Sequence, residues 1–474
     1  MLPRASLIIA ACLCASQALA QGGALGADRA VPPTPSPVGA GARPAGMANA
    51  FVAVADDASA ASWNPAGLVQ LERPEISLVS EYGIYKDRFR SSVQPELDGD
   101  HTFDDLSLNF ASAVYPIPRP ILGRNVVLSL SYQRRYDFTR QFDGRVITAQ
   151  GAPGGIVLGQ DSRLDFEQQG GLASLSPALA FEITKKLSLG VAVNLFRSDW
   201  LGPNGWEQTT RVNSVFTAGG SLSLSRGYSR ERYENIRGQN VTVGLLWHAT
   251  SKLSLGLRYD SPLHASSDYT SFDRDLSFLP NAAMPGLVNV AWAREKRDLR
   301  LPDTWALGAA YRFNDRLTLA LDVTRTDWND VYVASRRGMR YSLIDGADLN
   351  NPLRRNHFDP VYAVRLGAEY AFIPRQRGET LDYLWTMRGG VFLEQEPASG
   401  RDPRRRFAPG DGTPDDFYGV TVGVGVLLKQ RVNIDLAYQY RFGNNVNGDL
   451  NPGVAGFEAD EESHRLVLST VVYF

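Results

Sequence analysis

Five histidines are the residues best suited to catalysis or metal binding, and their spacing supports neither. They are His101, His248, His264, His357 and His464. None forms the HxH or HxxxH spacing of a metal site. His248 could serve as the base of a Ser–His pair, but no GxSxG motif supplies a strained nucleophile. We therefore expect no enzyme activity, and we interpret the histidines as solvated or structural.

Both cysteines, Cys12 and Cys14, lie in a stretch that is typical of a secretory signal peptide. Residues 1–20 hold one basic residue, then an apolar run, and end in Ala-Leu-Ala. We predict cleavage before Gln21, which would leave a mature chain without disulfides or thiolate ligands. The alternative is lipoprotein processing at Cys12, because residues 9–12 read Ile-Ala-Ala-Cys.

Charged loops offer further candidate binding groups, all of them weak. Carboxylates that could hold Ca²⁺ are Asp98, Asp100, Asp104 and Asp105, and Asp411, Asp415 and Asp416, without EF-hand spacing. For these carboxylates, a solvated loop is the favoured explanation. Arg404–Arg405–Arg406 could pair with phosphates of surface lipid, and a solvated charge run explains them equally well. Total charge is balanced, with 49 Lys+Arg against 51 Asp+Glu, so no nucleic-acid partner is expected. We predict no cofactor and no metal site.

From residue 75 onward, apolar and polar residues alternate with the period of half-buried strands. We count fourteen such segments, at residues 75–85, 105–116, 125–138, 173–184, 187–200, 238–249, 252–272, 287–313, 316–329, 360–372, 384–395, 418–428, 431–443 and 463–474. The stretch 208–225 also alternates, and we treat it as an extension of the fifth strand.

The connections between these segments alternate between long and short. The two-residue links are Lys185-Lys186, Thr250-Ser251, Asn314-Asp315 and Lys429-Gln430. Outer-membrane barrels combine short periplasmic turns, long external loops and an even strand number, and their sheets close because lipid offers no hydrogen-bond partners. Residues 75–474 are therefore predicted to form an all-β transmembrane barrel of about 14 antiparallel strands with both termini periplasmic. A large secreted β-sandwich or propeller is the alternative.

The alternation also assigns side chains to the two faces of the barrel wall. Charged residues on the register away from lipid are Arg258, Asp260, Asp322, Arg365, Glu369, Asp435 and Arg441. Aromatic residues near strand ends, where an interfacial girdle is expected, are Tyr115, Trp247, Tyr259, Trp328 and Tyr440.

The segment before the first strand favours helix rather than sheet. We divide it into a Gly/Pro-rich extended segment, residues 21–45, and an Ala-rich segment, residues 46–74. A barrel of this width leaks unless its lumen is filled, so residues 46–74 are predicted to form a small helical hatch plugging the lumen. Its apolar surface would come from Met47, Phe51, Val52 and Val54, and Asn64 is suited to bond backbone groups before Pro65.

Several short motifs carry a family resemblance that spans the mature chain from about residue 39. They are Gly41-Ala-Arg43, Gly46-Met47, residues 50–59, Trp63-Asn-Pro-Ala-Gly67, Arg73-Pro-Glu75, Leu301-Pro-Asp-Thr-Trp305 and Thr326-Asp-Trp328. The sequence resembles the FadL-type long-chain fatty-acid transporters, a family that includes porins of aromatic-hydrocarbon degraders. The resemblance implies a hatch motif at Asn64, Pro65 and Ala66. It also implies a lateral exit at a kinked third strand, at Ser131, Tyr132, Gln133 and Arg134.

The function implied is passive uptake of hydrophobic compounds, such as long-chain fatty acids or hydrocarbons, through the outer membrane. The expected partners are that ligand and the surrounding lipid and lipopolysaccharide, with the chain monomeric. Two alternatives stay open. One is a polar-solute porin, which suits the charged inner register but not the hatch. The other is a surface or secretion scaffold, which suits the long loops.

Overall fold

The structure, a computed structural model, describes residues 36–91, 95–152, 156–198, 204–218, 221–278, 287–344, 348–350, 358–373, 382–398, 413–446 and 457–474. The predicted signal peptide, the first part of the Gly/Pro-rich segment, His357, Arg404–Arg405–Arg406 and Asp411 lie outside these residues. No helix in the described ranges is long and apolar enough to cross a membrane.

The described residues contain short helices only near the N-terminus and are otherwise mostly strand. The strands are β1 Ser36–Pro37, β2 Glu75–Ser91, β3 Gly99–Pro116, β4 Val126–Asp137, β5 Arg140–Ala152, β6 Ile156–Thr184, β7 Leu187–Arg197, β8 Gly205–Ala218, β9 Ser221–His248, β10 Leu253–Asp260, β11 Leu263–Phe278, β12 Leu287–Leu301, β13 Thr304–Arg312, β14 Leu317–Thr326, β15 Tyr332–Ala334, β16 Arg340–Ser342, β17 Val361–Ala371, β18 Tyr383–Glu396, β19 Asp415–Leu428, β20 Val432–Val446 and β21 Phe457–Tyr473. The helices are α1 Ala42–Gly46, α2 Ala60–Trp63 and the 3₁₀ helices Pro65–Gln70 and Pro95–Leu97.

Fourteen of these strands close into one antiparallel barrel, which confirms the prediction. Their order around the wall is β2, β3, β4, β6, β7, β9, β10, β13, β14, β17, β18, β19, β20 and β21. The last strand pairs with the first from Glu75↔Tyr473 to Ser91↔Phe457, so the sheet has no free edge where it closes.

The barrel wall is apolar outside and small or polar inside. On β13, Leu307 points outward and is 61% exposed, whereas Ala306 is buried on the inner side. Tyr259 packs on Trp305 at 4.4 Å between ring centroids, in the predicted girdle. Trp328 was predicted wrongly, since it is 2% exposed and packs in an apolar cluster of the long loops. It lies beyond the end of β14, where the chain has left the wall.

Short turns gather at one end of the barrel and long connections at the other, as predicted. The short-turn end carries residues 185–186, 249–252, 313–316 and 429–431 between barrel strands. At the long-loop end, β6 and β9 run far beyond the barrel and pair with β5, β8 and β11, and β12 pairs with β11. We call this projecting part the external sheet.

The external sheet corrects three strand assignments. Residues 252–272 and 287–313 each hold two strands, because Pro262 and Pro302 interrupt the ladder where the chain leaves the barrel wall. The stretch 208–225 is not an extension of the fifth strand. It contains most of β8, which pairs with β6 and β9 in the external sheet. The predicted number of fourteen barrel strands is still correct, because residues 252–272 and 287–313 each contribute one strand to the barrel and one to the external sheet.

The hatch, Gly39–Leu71, fills the lumen near the short-turn end. It comprises α1, α2 and the 3₁₀ helix Pro65–Gln70, and most of its side chains are buried. The boundary placed after residue 45 falls within α1, whose Ala42 and Ala45 are buried. Small residues allow this close packing, so the extended conformation expected for residues 21–45 ends before α1.

Candidate functional site

A ring of glycines on the barrel wall receives the hatch. A methyl group added at Gly190 would lie 2.1 Å from the Pro65 carbonyl carbon, and one at Gly367 would lie 2.3 Å from the Met47 oxygen. Such distances are far below van der Waals contact, so the wall touches the hatch backbone directly. The wall glycines in this ring are Gly190, Gly244, Gly256, Gly308, Gly367, Gly390 and Gly423.

The Asn-Pro-Ala motif joins two parts of the hatch to the wall. The Asn64 side chain accepts a hydrogen bond from the Ala66 amide at 3.2 Å. It donates to the carbonyls of Val52 at 2.8 Å and Leu245 at 3.0 Å. Pro65 starts the 3₁₀ helix, where its missing N–H costs nothing. One buried amide therefore fixes the turn, the preceding segment and β9 together.

Two charged groups hold the other side of the hatch. Asp322 on β14 accepts hydrogen bonds from the Phe51 and Val52 amides at 2.6 and 2.8 Å. Arg43 on α1 forms a bidentate pair with Glu369 on β17, with both N···O distances 2.8 Å. Arg43 also bonds Asp56 at 2.6 Å. The lumen charges here are anchors for the hatch.

The predicted apolar hatch residues do not line open space in the lumen. Met47 and Phe51 are fully buried and Val52 nearly so, since the neighbouring backbone is held against the wall. Val54 borders a vestibule of about 740 Å³ at the short-turn end. A ligand could therefore contact Met47 or Phe51 only after the hatch had moved.

Above the hatch, towards the long loops, the lumen is lined with paired charges. Arg441 bonds Glu394 at 2.6 Å and also pairs with Glu396, while Arg365 reaches Glu394 at 3.2 Å. On another part of the wall, Arg258 lies 3.0 Å from Asp260. The seven predicted inner-register charges all face the lumen. Six of them form ion pairs, and Asp322 accepts hydrogen bonds from hatch amides, which explains how a closed interior tolerates these charges. We call this space the chamber.

Arg135 is a chamber cation with a different environment. Its guanidinium bonds the side-chain oxygens of Asn194 at 2.6 Å and Ser174 at 3.4 Å. Both partners are neutral, and no carboxylate of the described residues forms an ion pair with it. A half-buried guanidinium whose direct hydrogen-bond partners are neutral is suited to bind an anionic group bidentately. The sequence analysis did not single out Arg135, although it continues the inward face of Ser131 and Gln133 up to a β-bulge in β4.

That bulge lies at a break in the barrel wall between β3 and β4. Pairing of the two strands stops at Phe110↔Gln133, although β3 continues to Gly99. The register of β4 against β6 shifts between Arg134 and Tyr136. Beyond the break, β1 pairs with the free edge of β4 through Ser36↔Asp137. We call this opening the β3–β4 gap.

The resemblance-derived exit residues lie at this break. Ser131 and Gln133 are buried and face inward, and the Gln133 amide reaches the Val38 carbonyl at 3.5 Å. Tyr132 is half-buried, and Arg134 bonds Asp105 at 2.6 Å. Ser131, Tyr132 and Gln133 are therefore the last residues of β4 that pair with β3, and Arg134 lies at the start of the gap.

An aromatic stack lies in the external sheet, at the long-loop end of the barrel. Phe138, Trp206 and Tyr233 stack in sequence at 4.4 and 4.2 Å, and Tyr269 follows at 4.9 Å. Arg297 lies 3.3 Å above the Tyr269 ring. Burial raises the pKa of the nearby Glu231 carboxyl, against hydrogen bonding by Tyr269. These residues belong to four separate strands and to the link between β4 and β5, so no local sequence pattern predicts the cluster.

The weaker candidates of the sequence are engaged in ordinary contacts. His248 Nδ1 lies 2.9 Å from Ser254 Oγ at the short-turn end. Asp100 pairs with Arg88 and Asp105 with Arg134, and Asp416 accepts from Gln395. Within the described ranges, no group of three His, Cys, Asp or Glu residues is arranged to hold a metal ion.

Comparison with known proteins gives a family and a fold. The family described as "Outer membrane protein transport protein (OMPP1/FadL/TodX)" matches residues 38–472. A Pseudomonas aeruginosa FadL homologue is 19% identical with a TM-score of 0.54, covering 94% of this chain and 99% of its own. The CymD monoaromatic hydrocarbon channel (15%, 0.52) and the Ralstonia pickettii toluene transporter TbuX (16%, 0.51) each cover 92% of this chain and 98% of their own. No curated protein sequence matches.

Proposed function

Because this chain belongs to the OMPP1/FadL/TodX family of outer membrane transport proteins, we propose that it is a passive channel for hydrophobic compounds. The observation that carries this proposal is a lumen plugged by the hatch, beside a wall that opens at the β3–β4 gap. A polar pore needs an open axis, whereas a hydrophobic solute gains by leaving sideways into lipid. Transfer of each CH₂ group from water to an apolar medium contributes about 0.8 kcal/mol.

The proposed route runs from the long loops into the chamber and out through the β3–β4 gap. The hatch packs against the wall without space for a solute to pass straight through. At the gap, the described residues that pair with the edge of β4 belong to β1 and Val38, with Val38 N donating to Arg135 O at 3.0 Å. Detaching this short pairing costs about 1 kcal/mol per hydrogen bond, which thermal motion supplies readily.

Arg135 is the proposed head-group site, which favours amphiphilic acids over plain hydrocarbons. Its guanidinium lies at the gap and has only neutral partners, so a carboxylate there would gain a charge-assisted pair. The alkyl chain of the same ligand would lie towards the gap and the membrane. The toluene transporter and hydrocarbon channel named above suggest aromatic substrates as the competing class.

Uptake in cells that lack their own fatty-acid transporter tests both points. We expect uptake of long-chain acids to exceed that of alkanes or toluene. Arg135→Gln should reduce acid uptake several-fold and leave hydrocarbon uptake unchanged. Arg88→Gln, on the exposed outer end of β2, is the matched control. Uptake equal to that of empty-vector cells for every compound would contradict the channel proposal.

A surface scaffold is the second candidate function, because the external sheet projects well beyond the barrel. In that case, deleting the β11–β12 hairpin would abolish surface binding of a secreted partner without affecting uptake. We propose further that the short-turn end and the C-terminal end of β21 face the periplasm. We also propose that the protein is a monomer and that its partners are the transported ligand and the surrounding lipid and lipopolysaccharide.

A further inference from the structure

The outward face of the barrel changes from apolar to charged side chains where β9 and its neighbours extend beyond the apolar band. Within the band, Val243 and Leu245 of β9 face outward beside Tyr259 and Leu257. Further along, His264 pairs with both Gln239 and Arg300, so Arg300 shares this outward face. From Arg300 to Arg294, β12 presents charged groups to the outside, and the apolar Trp292, Val290 and Val288 follow on the same face farther out.

A cleft opens on this face between the edge of β12 and the β15–β16 hairpin. Its volume is about 670 Å³, and its charged lining consists of Lys296, Arg336, Arg340 and Asp298. Arg340 lies over the ring of Tyr332 at 4.8 Å. None of the three cations forms an ion pair with a described residue, so the lining of the cleft carries a net positive charge. Asp268 of β11, outside the lining, lies directly across from Lys296.

The cleft lies above the apolar band, on the long-loop side of the barrel. Asp298 is level with Arg237 of β9 and Lys296 with Glu234, four and seven residues beyond Val241. With a rise of about 3.3 Å per residue and a strand tilt of about 40°, these positions lie roughly 10 and 18 Å above the apolar band. The Tyr259–Trp305 pair marks the girdle below them.

We propose that this cleft binds phosphate groups of the phosphorylated glycolipid of the outer leaflet, lipopolysaccharide. Three unpaired cations against one carboxylate match a polyanionic head group, and the lipid-facing wall directly below would hold its acyl chains. Arg294 and Arg274 continue the same face upward on β12 and β11, where further phosphates of the sugar core would lie. The inference rests on the proposed outer-membrane location and is independent of the transported compound.

Native mass spectrometry of the full purified protein, titrated with bisphosphorylated lipid A, tests the site. A triple variant carries Lys296→Ser, Arg336→Ser and Arg340→Ser. Each cation near an anionic lipid surface contributes about fivefold in affinity, so the variant should bind lipid A on the order of 100-fold more weakly. The matched control is Lys185→Ser, Lys186→Ser and Lys252→Ser, at the opposite end of the barrel, which should bind normally.

Two further titrations test which part of the ligand the cleft recognises. Dephosphorylated lipid A should bind the unaltered protein as weakly as phosphorylated lipid A binds the triple variant. Inorganic phosphate at the same concentration should not displace lipid A, and displacement would overturn the assignment to lipid. Equal binding of lipid A by the triple variant would overturn the site. Resistance to SDS unfolding at room temperature verifies folding, and fatty-acid uptake, measured separately, reports on transport alone.

Discussion

Asn64 shows how one side chain can hold a plug in a channel. It makes three hydrogen bonds, one within its own turn, one to Val52 and one to the wall at Leu245. All three lie in a space closed to water. An unmade bond there would leave a carbonyl or amide without any partner, which is costlier than losing the same bond at the surface.

Replacing Asn64 by alanine should loosen the hatch without unfolding the barrel. The loss of three buried bonds, at about 1 kcal/mol each, should destabilise the hatch by roughly 2–3 kcal/mol. Planar-bilayer recordings should then show frequent opening events, several-fold more than for the unaltered protein. Asn350→Ala, in a loop at the far end, is the control. An unchanged opening frequency would mean that the wall glycines alone retain the hatch.

For single residues, the sequence predicted correctly which side chains point into the lumen, because this direction follows from strand alternation. The register correctly placed Asp322 and Glu369 inside the lumen. Their task of holding Phe51 and Arg43 could not be predicted, because it depends on where the hatch meets the wall. Trp328 shows the other limit. The end of a strand changes the direction of the side chains that follow it, and that end is not visible in an alternating pattern.

At the scale of elements, the fit between hatch and wall depends on which face of a strand carries glycine. Gly389 and Gly390 are neighbours on β18, yet only one faces the hatch. A methyl group at Gly390 would lie 2.7 Å from the Ala48 Cβ, whereas at Gly389 the nearest atom would be the Thr421 oxygen at 3.7 Å. The pair therefore offers an internal comparison of the two faces.

Gly390→Val should prevent the hatch from seating, while Gly389→Val should be tolerated. The larger side chain at Gly390 would overlap α1 and the residues after it, so the hatch would shift out of the lumen. We expect a steady bilayer conductance in Gly390→Val and a closed channel in Gly389→Val. Limited proteolysis after Arg43 should rise only in the former. A closed channel in both variants would refute the close packing described here.

The β3–β4 gap yields a second test at this scale. Ser36 and Asp137 are direct neighbours in the pairing of β1 with β4, at a spacing that a disulfide can bridge. In the double variant Ser36→Cys, Asp137→Cys, oxidation should lock β1 in the gap and reduce uptake at least tenfold. Reduction of the same protein should restore uptake, which cancels any effect of the substitutions themselves. Full uptake in the oxidised form would exclude the gap as the exit.

For the whole molecule, the sequence predicted the closed barrel of fourteen strands and its two unlike ends. It did so because lipid imposes alternation and closure on every strand. The external sheet was not predicted, because it lies outside the lipid that imposes this pattern. Outside the membrane nothing separates a barrel strand from its continuation, so β10 and β11 read as one segment, as did β12 and β13. Only the prolines at 262 and 302 distinguish them.

The position of the hatch also constrains the order in which the barrel assembles. Its early part bonds late strands, through Ala42 to Ser469 and Ala48 to Thr421. Its later part bonds the middle of the chain, at Leu245. A seated hatch therefore brings together strands more than 200 residues apart, and it lowers the entropic cost of closing the barrel. The plug also assists the folding of the barrel around it.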